Sequence, residues 1–144
     1  MGPNFVKLIS HRGNLNGPIE EKENHPDYIL KALNSGFETE IDVWHRDGEF
    51  WLGHDKPQYK TSIEFLKDNR LWCHAKELSS LEVMLQNNLH CFWHQNDDFT
   101  LTSKGFIWTF PGKPICSKSV LVQKEKTNLK IDCYGICTDY VLEL

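Results

Sequence analysis

The sequence has no basic excess. Its 144 residues carry 16 Lys and Arg against 20 Asp and Glu, a formal net charge of −4. No surplus of cations is available to neutralise a run of phosphates, so nonspecific nucleic-acid binding is not expected, although a local phosphate pocket is compatible with this balance. Long apolar runs are also missing. Nothing approaches the roughly 20 residues that cross a bilayer, so no membrane span is expected. Cysteine is scarce and unpatterned: Cys73, Cys91, Cys116, Cys133 and Cys137 are odd in number and never spaced C-x-x-C. That argues against a disulfide framework and against structural zinc, and most of the five are expected to be small buried hydrophobes. The opening Met1-Gly2-Pro3-Asn4-Phe5-Val6-Lys7 lacks the basic head, apolar core and cleavage site of an export signal, which reads as a cytoplasmic protein. No repeat, low-complexity tract or linker divides the chain, so a single domain over 1–144 is expected. With 40% apolar and 25% charged residues it can build one ordinary core, yet it falls short of the roughly 250 residues of an eight-fold β/α barrel.

What is present is a succession of short apolar runs. Phe5 to Ser10 is a strand-like run that empties at His11-Arg12-Gly13 into a polar loop reaching Asn24. Pro26 in a first turn, Ile29, Leu30 and Leu33 on one face and Gly36 at the stop predict a helix over about 26–35. From Phe37 to Val43 the alternation places Glu40 and Asp42 on one face and Ile41 and Val43 on the other. Asp47-Gly48 is a hairpin signal between Val43-Trp44 and Phe50-Trp51-Leu52. Capping boxes at Thr61-x-x-Glu64 and Ser79-x-x-Glu82 predict two more helices, the second with Leu78 and Val83 spaced for a hydrophobic staple. Further strand-length runs lie at 71–73, 91–93, 106–108, 120–122 and 134–137. Strand and helix alternate early, as in a parallel sheet with crossover helices; from Asp97 onward strands are separated by Gly/Pro/Lys-rich loops.

The chemistry-bearing side chains fall at the ends of these strands. His11 and Arg12 follow the first, Glu40 and Asp42 lie on the second, His54-Asp55 closes the hairpin, and His74 and Lys76 share one face of the next. Strand carboxyl ends are where parallel α/β folds build sites. Two histidines can hold or release protons near neutral pH, paired carboxylates can hold a divalent cation, and Arg12 with Lys76 can bind an oxyanion. Together these are parts of a metal-assisted phosphodiesterase.

In order, His11-Arg12-Gly13, Glu23-Asn24, Ala32 to Gly36, Glu40-x-Asp42, Asp47-Gly48, His54-Asp55 and the Lys76 strand resemble the glycerophosphodiester phosphodiesterase family, in the wider group of phospholipase C-like phosphodiesterases built on a TIM-type barrel. Gly135 to Tyr140 is similar to that family's last barrel strand and Trp108-Thr109 to its penultimate one; the resemblance is densest over 5–55. It implies hydrolysis of a small phosphodiester, with His11 and His54 as general acid and base, Glu40 and Asp42 as metal ligands, and Arg12, Lys76 and Trp108 as substrate contacts. Where the family usually has a third metal carboxylate, two residues before the lysine, this chain has His74. An imidazole can still ligate, but losing one negative charge shifts preference from Mg²⁺ or Ca²⁺ toward Mn²⁺ or Zn²⁺.

The fold expectation is therefore α/β, a shortened or incomplete TIM-type β/α barrel with its helices concentrated in the N-terminal half. Plainer assignments stand beside the functional ones. Glu40 and Asp42 also fit the solvated face of an edge strand, although helices burying both faces of that strand would oppose this. Lys76 equally fits an exposed strand end, Trp108 fits core packing as well as a pocket wall, and His94 is a minor site candidate. Trp44, Trp51, Trp72 and Trp93 read as packing. Two other functions are compatible with the same residues: a cyclising phosphodiester lyase, and a non-catalytic module binding phosphate esters or sugars. An incomplete barrel leaves strand edges to be covered, so a homodimer covering the later strands is expected.

Overall fold

The computed structural model describes residues 6–124 and 132–144. Ten strands run β1 (Lys7–His11), β2 (Glu38–Arg46), β3 (Glu49–Leu52), β4 (Tyr59–Thr61), β5 (Leu71–Ala75), β6 (Cys91–Phe92), β7 (Phe99–Leu101), β8 (Ile107–Thr109), β9 (Ser119–Gln123) and β10 (Gly135–Thr138). The helices are α1 (Pro26–Asn34), α2 (Ile63–Leu66) and α3 (Leu78–Gln86), with a 3-10 turn at Val141–Glu143. Phe5, expected in the first strand, lies outside the described residues. Among the described residues no helix is long and apolar enough to cross a membrane.

The strands β6, β5, β2, β1, β10, β9 and β8 lie side by side in that order and all run parallel, with β7 antiparallel on β8. The hairpin strand β3 pairs antiparallel with β2, and β4 pairs antiparallel with β3. They fit because β1 ends early: Arg12 N–H donates to Glu40 O and Gly53 N–H to Asp42 O, two carbonyls on one edge of β2, while Lys76 N–H donates to Val43 O on the other edge. The β2–β3 turn carries Asp47 and Gly48 at φ +54° and +77°, the paired left-handed residues of a two-residue hairpin loop.

The expected α/β barrel does not form. Among the described residues strand outweighs helix, in a curled mixed half-barrel sheet with three helices of nine, four and nine residues. A parallel crossover ordinarily takes a helix of a dozen or so residues, but β8 reaches β9 through residues 110–118, where Pro111, Gly112 and Pro114 bar a helix. After Gln86 the described chain holds no α-helix.

Helix boundaries also differ in instructive ways. The cap of α2 is Ser62, whose hydroxyl accepts from Phe65 N–H at 3.2 Å, because Thr61 is consumed by β4. α3 begins at Leu78 after Glu77, without a side-chain cap; Ser79 lies inside it and meets His45 Nδ1 at 2.7 Å. Leu78 is 79% exposed, so no staple with Val83 forms. On α1 the buried positions are Ile29, Ala32 and Leu33, and Leu30 faces solvent. Trp93, read as packing, is likewise exposed, whereas Trp72 is fully buried.

Strand alternation sorts the interior into two cores. On the convex face Ile41, Val43, Leu71 and Cys73 pack with Ile29, Leu33 and Met84 of the helices. On the concave face Ile9, Trp72, Phe92, Trp108, Val120 and Cys137 pack across the curled sheet. The even-numbered face of β2, with Glu40 and Asp42, is thus buried by the sheet curling on itself rather than by a second layer of helices. Of the five cysteines, Cys73, Cys91, Cys133 and Cys137 are buried free thiols and Cys116 is exposed.

Candidate active site

Seven parallel strands point their carboxyl ends at one mouth of the curl. There a pocket of about 540 Å³ is lined by His11 at the end of β1 and Arg12 after it, Glu40 from β2, His54, His74 of β5 and Lys76 just after it, His94 after β6 and Trp108 of β8. Asp42 lies beneath it, fully buried. The period-two alternation that puts Ile41 and Val43 under the helices is what aims Glu40 and Asp42 inward.

Three side chains form a ligand cluster: one donor atom each from Glu40, Asp42 and His74, all within 4.8 Å of one another. His74 Nδ1 stands 3.1 Å from Asp42 Oδ1 and 3.9 Å from Glu40 Oε2. Its ring stacks on Phe92, with centroids 5.2 Å apart, and its Nε2 faces the His94 carbonyl at 3.4 Å. A neutral imidazole has one N–H and one lone pair, so a cation between the carboxylates would take the Nδ1 lone pair in place of the hydrogen bond to Asp42, leaving the Nε2 proton for the His94 carbonyl. Glu40 Oε1 is buried without a hydrogen-bond partner among the described residues; the nearest nitrogen of His11, Nε2, is 3.7 Å away. A buried acceptor left unmade costs free energy, which a bound cation would offset. The donor set, two carboxylates and an imidazole around an orphaned carboxylate oxygen, fits a divalent cation.

Electrostatics agree with this. Burial, with the adjacent Asp42 charge, pushes the Glu40 carboxyl up to about 7 against the pull of His11, Arg12 and His74. Asp42 is equally buried, but the hydrogen bond from His74 and the charges of Arg12, His74 and Lys76 outweigh burial and hold it well below the usual carboxylate range. Arg12 Nε lies 3.2 Å from Asp42 Oδ2 and Nη1 lies 3.3 Å from Glu23 Oε1. Arg12 adopts φ +59°, an uncommon conformation for a side-chain-bearing residue that turns it back over the carboxylates. Asn24, at φ +67°, completes the hold: its Nδ2 donates to Asp42 Oδ2 at 2.9 Å and its Oδ1 accepts from Asp42 N–H at 2.9 Å.

His11 is fastened from behind. Its Nδ1 meets Asp139 Oδ1 at 2.8 Å, leaving Nε2 toward Glu40 and the pocket. Burial works against the imidazolium, but the Asp139 hydrogen bond and the Glu40 charge outweigh it, and the pKa is raised. Asn14 Nδ2 donates to the same Asp139 oxygen at 2.9 Å and to Glu23 Oε2 at 2.7 Å.

All the residues singled out from sequence therefore meet at this mouth. His54 differs in degree: its side chain is 44% exposed and its Nδ1 bonds the neighbouring Asp55, at 2.7 Å. Trp108 is both things expected of it, an inner-core residue that also lines the pocket. Sequence reasoning assigned no role to Asp139, Asn24 or Asn14. For Asp139 the signal was its place just after a strand, next to Thr138 at the sheet's carboxyl mouth; nothing local in the sequence marks Asn14.

No family model, curated protein or solved structure matches the chain.

Proposed function

We propose that this protein is a metal-dependent phosphodiesterase acting on a glycerophosphodiester or similar small diester, in a reducing cytoplasm that keeps its buried thiols reduced. The observation that carries the reading is the meeting of the Glu40, Asp42 and His74 donors, within 4.8 Å, with His11, His54, Arg12 and Lys76 on the wall of one pocket. The resemblance to the glycerophosphodiester phosphodiesterases, carried by the same residues, adds the order of the motifs in its support.

A divalent cation held by Glu40, Asp42 and His74 would neutralise charge developing on the phosphoryl oxygens. The chain's own groups do the rest. Arg12, already paired to Asp42 and Glu23, and Lys76 supply positive charge to the phosphate. Asp139 accepts the Nδ1 proton of His11 and so presents Nε2 to substrate, the role a carboxylate plays behind a working imidazole. One histidine takes a proton from the attacking water and the other returns one to the leaving alkoxide. Trp108 walls the alcohol. The imidazole in the third ligand position favours Mn²⁺ or Zn²⁺ over Mg²⁺ or Ca²⁺. Self-association over the later strands belongs to the same reading, supported by exposed Phe99 and Leu101 on β7.

The test is turnover of a glycerophosphodiester and of bis-p-nitrophenyl phosphate with each of the four cations. His11→Ala and His54→Ala are expected to lower kcat by about 10²–10⁴ with circular dichroism unchanged, and Asp139→Asn to lower kcat while leaving KM. A cyclic phosphate product would reassign the protein as a lyase. No turnover with any cation would make it a phosphate-ester or sugar-binding module.

A further inference from the structure

The curled sheet has a second mouth. At the amino ends of the parallel strands, opposite the site above, lies a cavity of about 320 Å³. Its walls include Trp72, His90, Phe106 and Tyr134, which form one set of ring contacts: Trp72 to His90 at 4.1 Å, Trp72 to Phe106 at 5.4 Å, Trp72 to Tyr134 at 6.2 Å and Phe106 to Tyr134 at 4.2 Å between centroids. The indole of Trp72 also meets Trp108, 5.8 Å away, and Phe92 stacks on Trp108 at 4.9 Å. This aromatic layer stands between the two mouths. Trp72 is itself buried in this layer, but His90, Phe106 and Tyr134 are partly exposed where they line the cavity, and rings so placed suit a planar ring, which stacks on them without needing a particular hydrogen-bond pattern.

Charge at this mouth is unbalanced in one direction. Its carboxylates are already engaged: Glu38 accepts from Trp72 Nε1 at 2.8 Å and pairs with Lys7 at 3.3 Å, and Asp68 is held by Arg70 at 2.7 Å. Its lysines are not. Lys67 and Lys104 line the cavity, both are exposed, and among the described residues neither has a carboxylate partner; Lys104 donates only to the neutral Asn88 carbonyl, at 3.1 Å. A ligand that satisfies both features carries a planar ring and an anionic group.

We propose that this amino-end cavity is a second binding site, independent of the phosphodiesterase reading, for a planar aromatic anion of the nucleoside monophosphate kind, its ring on the His90, Phe106 and Tyr134 wall and its anion between Lys67 and Lys104. The test uses the full chain without added divalent cation, titrated with AMP, adenosine and inorganic phosphate by calorimetry and by tryptophan fluorescence. AMP is expected to bind one to one, about tenfold more tightly than adenosine or phosphate. Lys67→Ala with Lys104→Ala, two exposed positions outside both cores, is expected to bring AMP down to the adenosine level, whereas Lys76→Ala with Lys124→Ala at the opposite mouth leaves AMP affinity unchanged. Absence of saturable AMP binding up to millimolar concentration overturns the proposal. So does AMP binding that survives the first pair of substitutions, or that is lost with the second.

Discussion

At Glu40 one carboxylate sits under conflicting demands: it is almost fully buried, next to a second carboxylate, with one oxygen unpartnered. In the metal-free protein that arrangement opposes folding. With its carboxyl pushed up to about 7 from 4.5, the folded state holds a proton that the unfolded chain releases, so stability falls as pH rises through that window. Glu40→Gln keeps the shape and removes the charge. It is expected to raise stability in chelator at pH 8 by about 1–2 kcal/mol and to abolish the rise in Tm expected of the wild type with Mn²⁺; both are read by thermal melts with and without metal. His90 shows the opposite sign. Burial, assisted by the nearby Lys104 charge, lowers it to about 4, with its Nε2 at 2.8 Å from Thr102 Oγ1. The unfolded chain takes up this proton below 6.5 and the folded protein only near 4, so stability is lost as pH falls between them. Discounted for the partial exposure of the ring, the loss is about 1–2 kcal/mol, and urea titrations of His90→Phe are expected to lack that limb.

Among the elements, Ser103 makes three of the bonds that bring the sheet's ends together, beside the His90–Thr102 and His94–Thr100 contacts. Ser103 N–H donates to Cys91 O at 2.9 Å, its hydroxyl accepts from Cys91 N–H at 2.9 Å and donates to Leu89 O at 2.9 Å. These bonds link β6 to the turn after β7, where the strand order leaves β6 and β7 without a ladder between them. Ser103→Ala leaves the Cys91 amide and Leu89 carbonyl without that partner and is expected to cost about 1–3 kcal/mol in chemical denaturation. The effect should reach His94 and the pocket, since β6 carries Phe92 and His94 toward the site. Elements with strong local patterns were legible: β2 from its alternation, the Asp47-Gly48 hairpin from its turn residues, α1 from Pro26. Those that were not, β4 and β7, are three-residue strands whose existence depends on the partners they pair with. The α2 cap moved from Thr61 to Ser62 for the same reason: a strand claimed the threonine.

For the whole molecule, the question is what covers the sheet's outer edge. β7 presents Phe99 at 49% and Leu101 at 73% exposure, and an exposed apolar edge strand is a template for pairing with another chain. The expected outcome in light scattering is twice the monomer mass, shifting to monomer in Leu101→Lys; a wild-type monomer at high micromolar concentration would end the dimer reading. The candidate site depended far more on local order than the fold did. His11, Glu40, Asp42, His74 and Lys76 were readable because strand period and strand ends are local properties, and inward-facing polar residues at strand ends stay neighbours once parallel strands align. The barrel itself was misjudged because whether a crossover is a helix or a loop is decided over residues such as 110–118, and whether the sheet then curls is decided by the aromatic packing of Trp72, Phe92 and Trp108 across it. By itself the sequence determined which side chains face inward and at which end of each strand they stand, because backbone alternation admits only two faces. Only the tertiary structure decided that Asp139 and Asn14 stand behind His11, because those contacts join residues 128 and 125 positions apart, and no local pattern specifies a meeting across that distance.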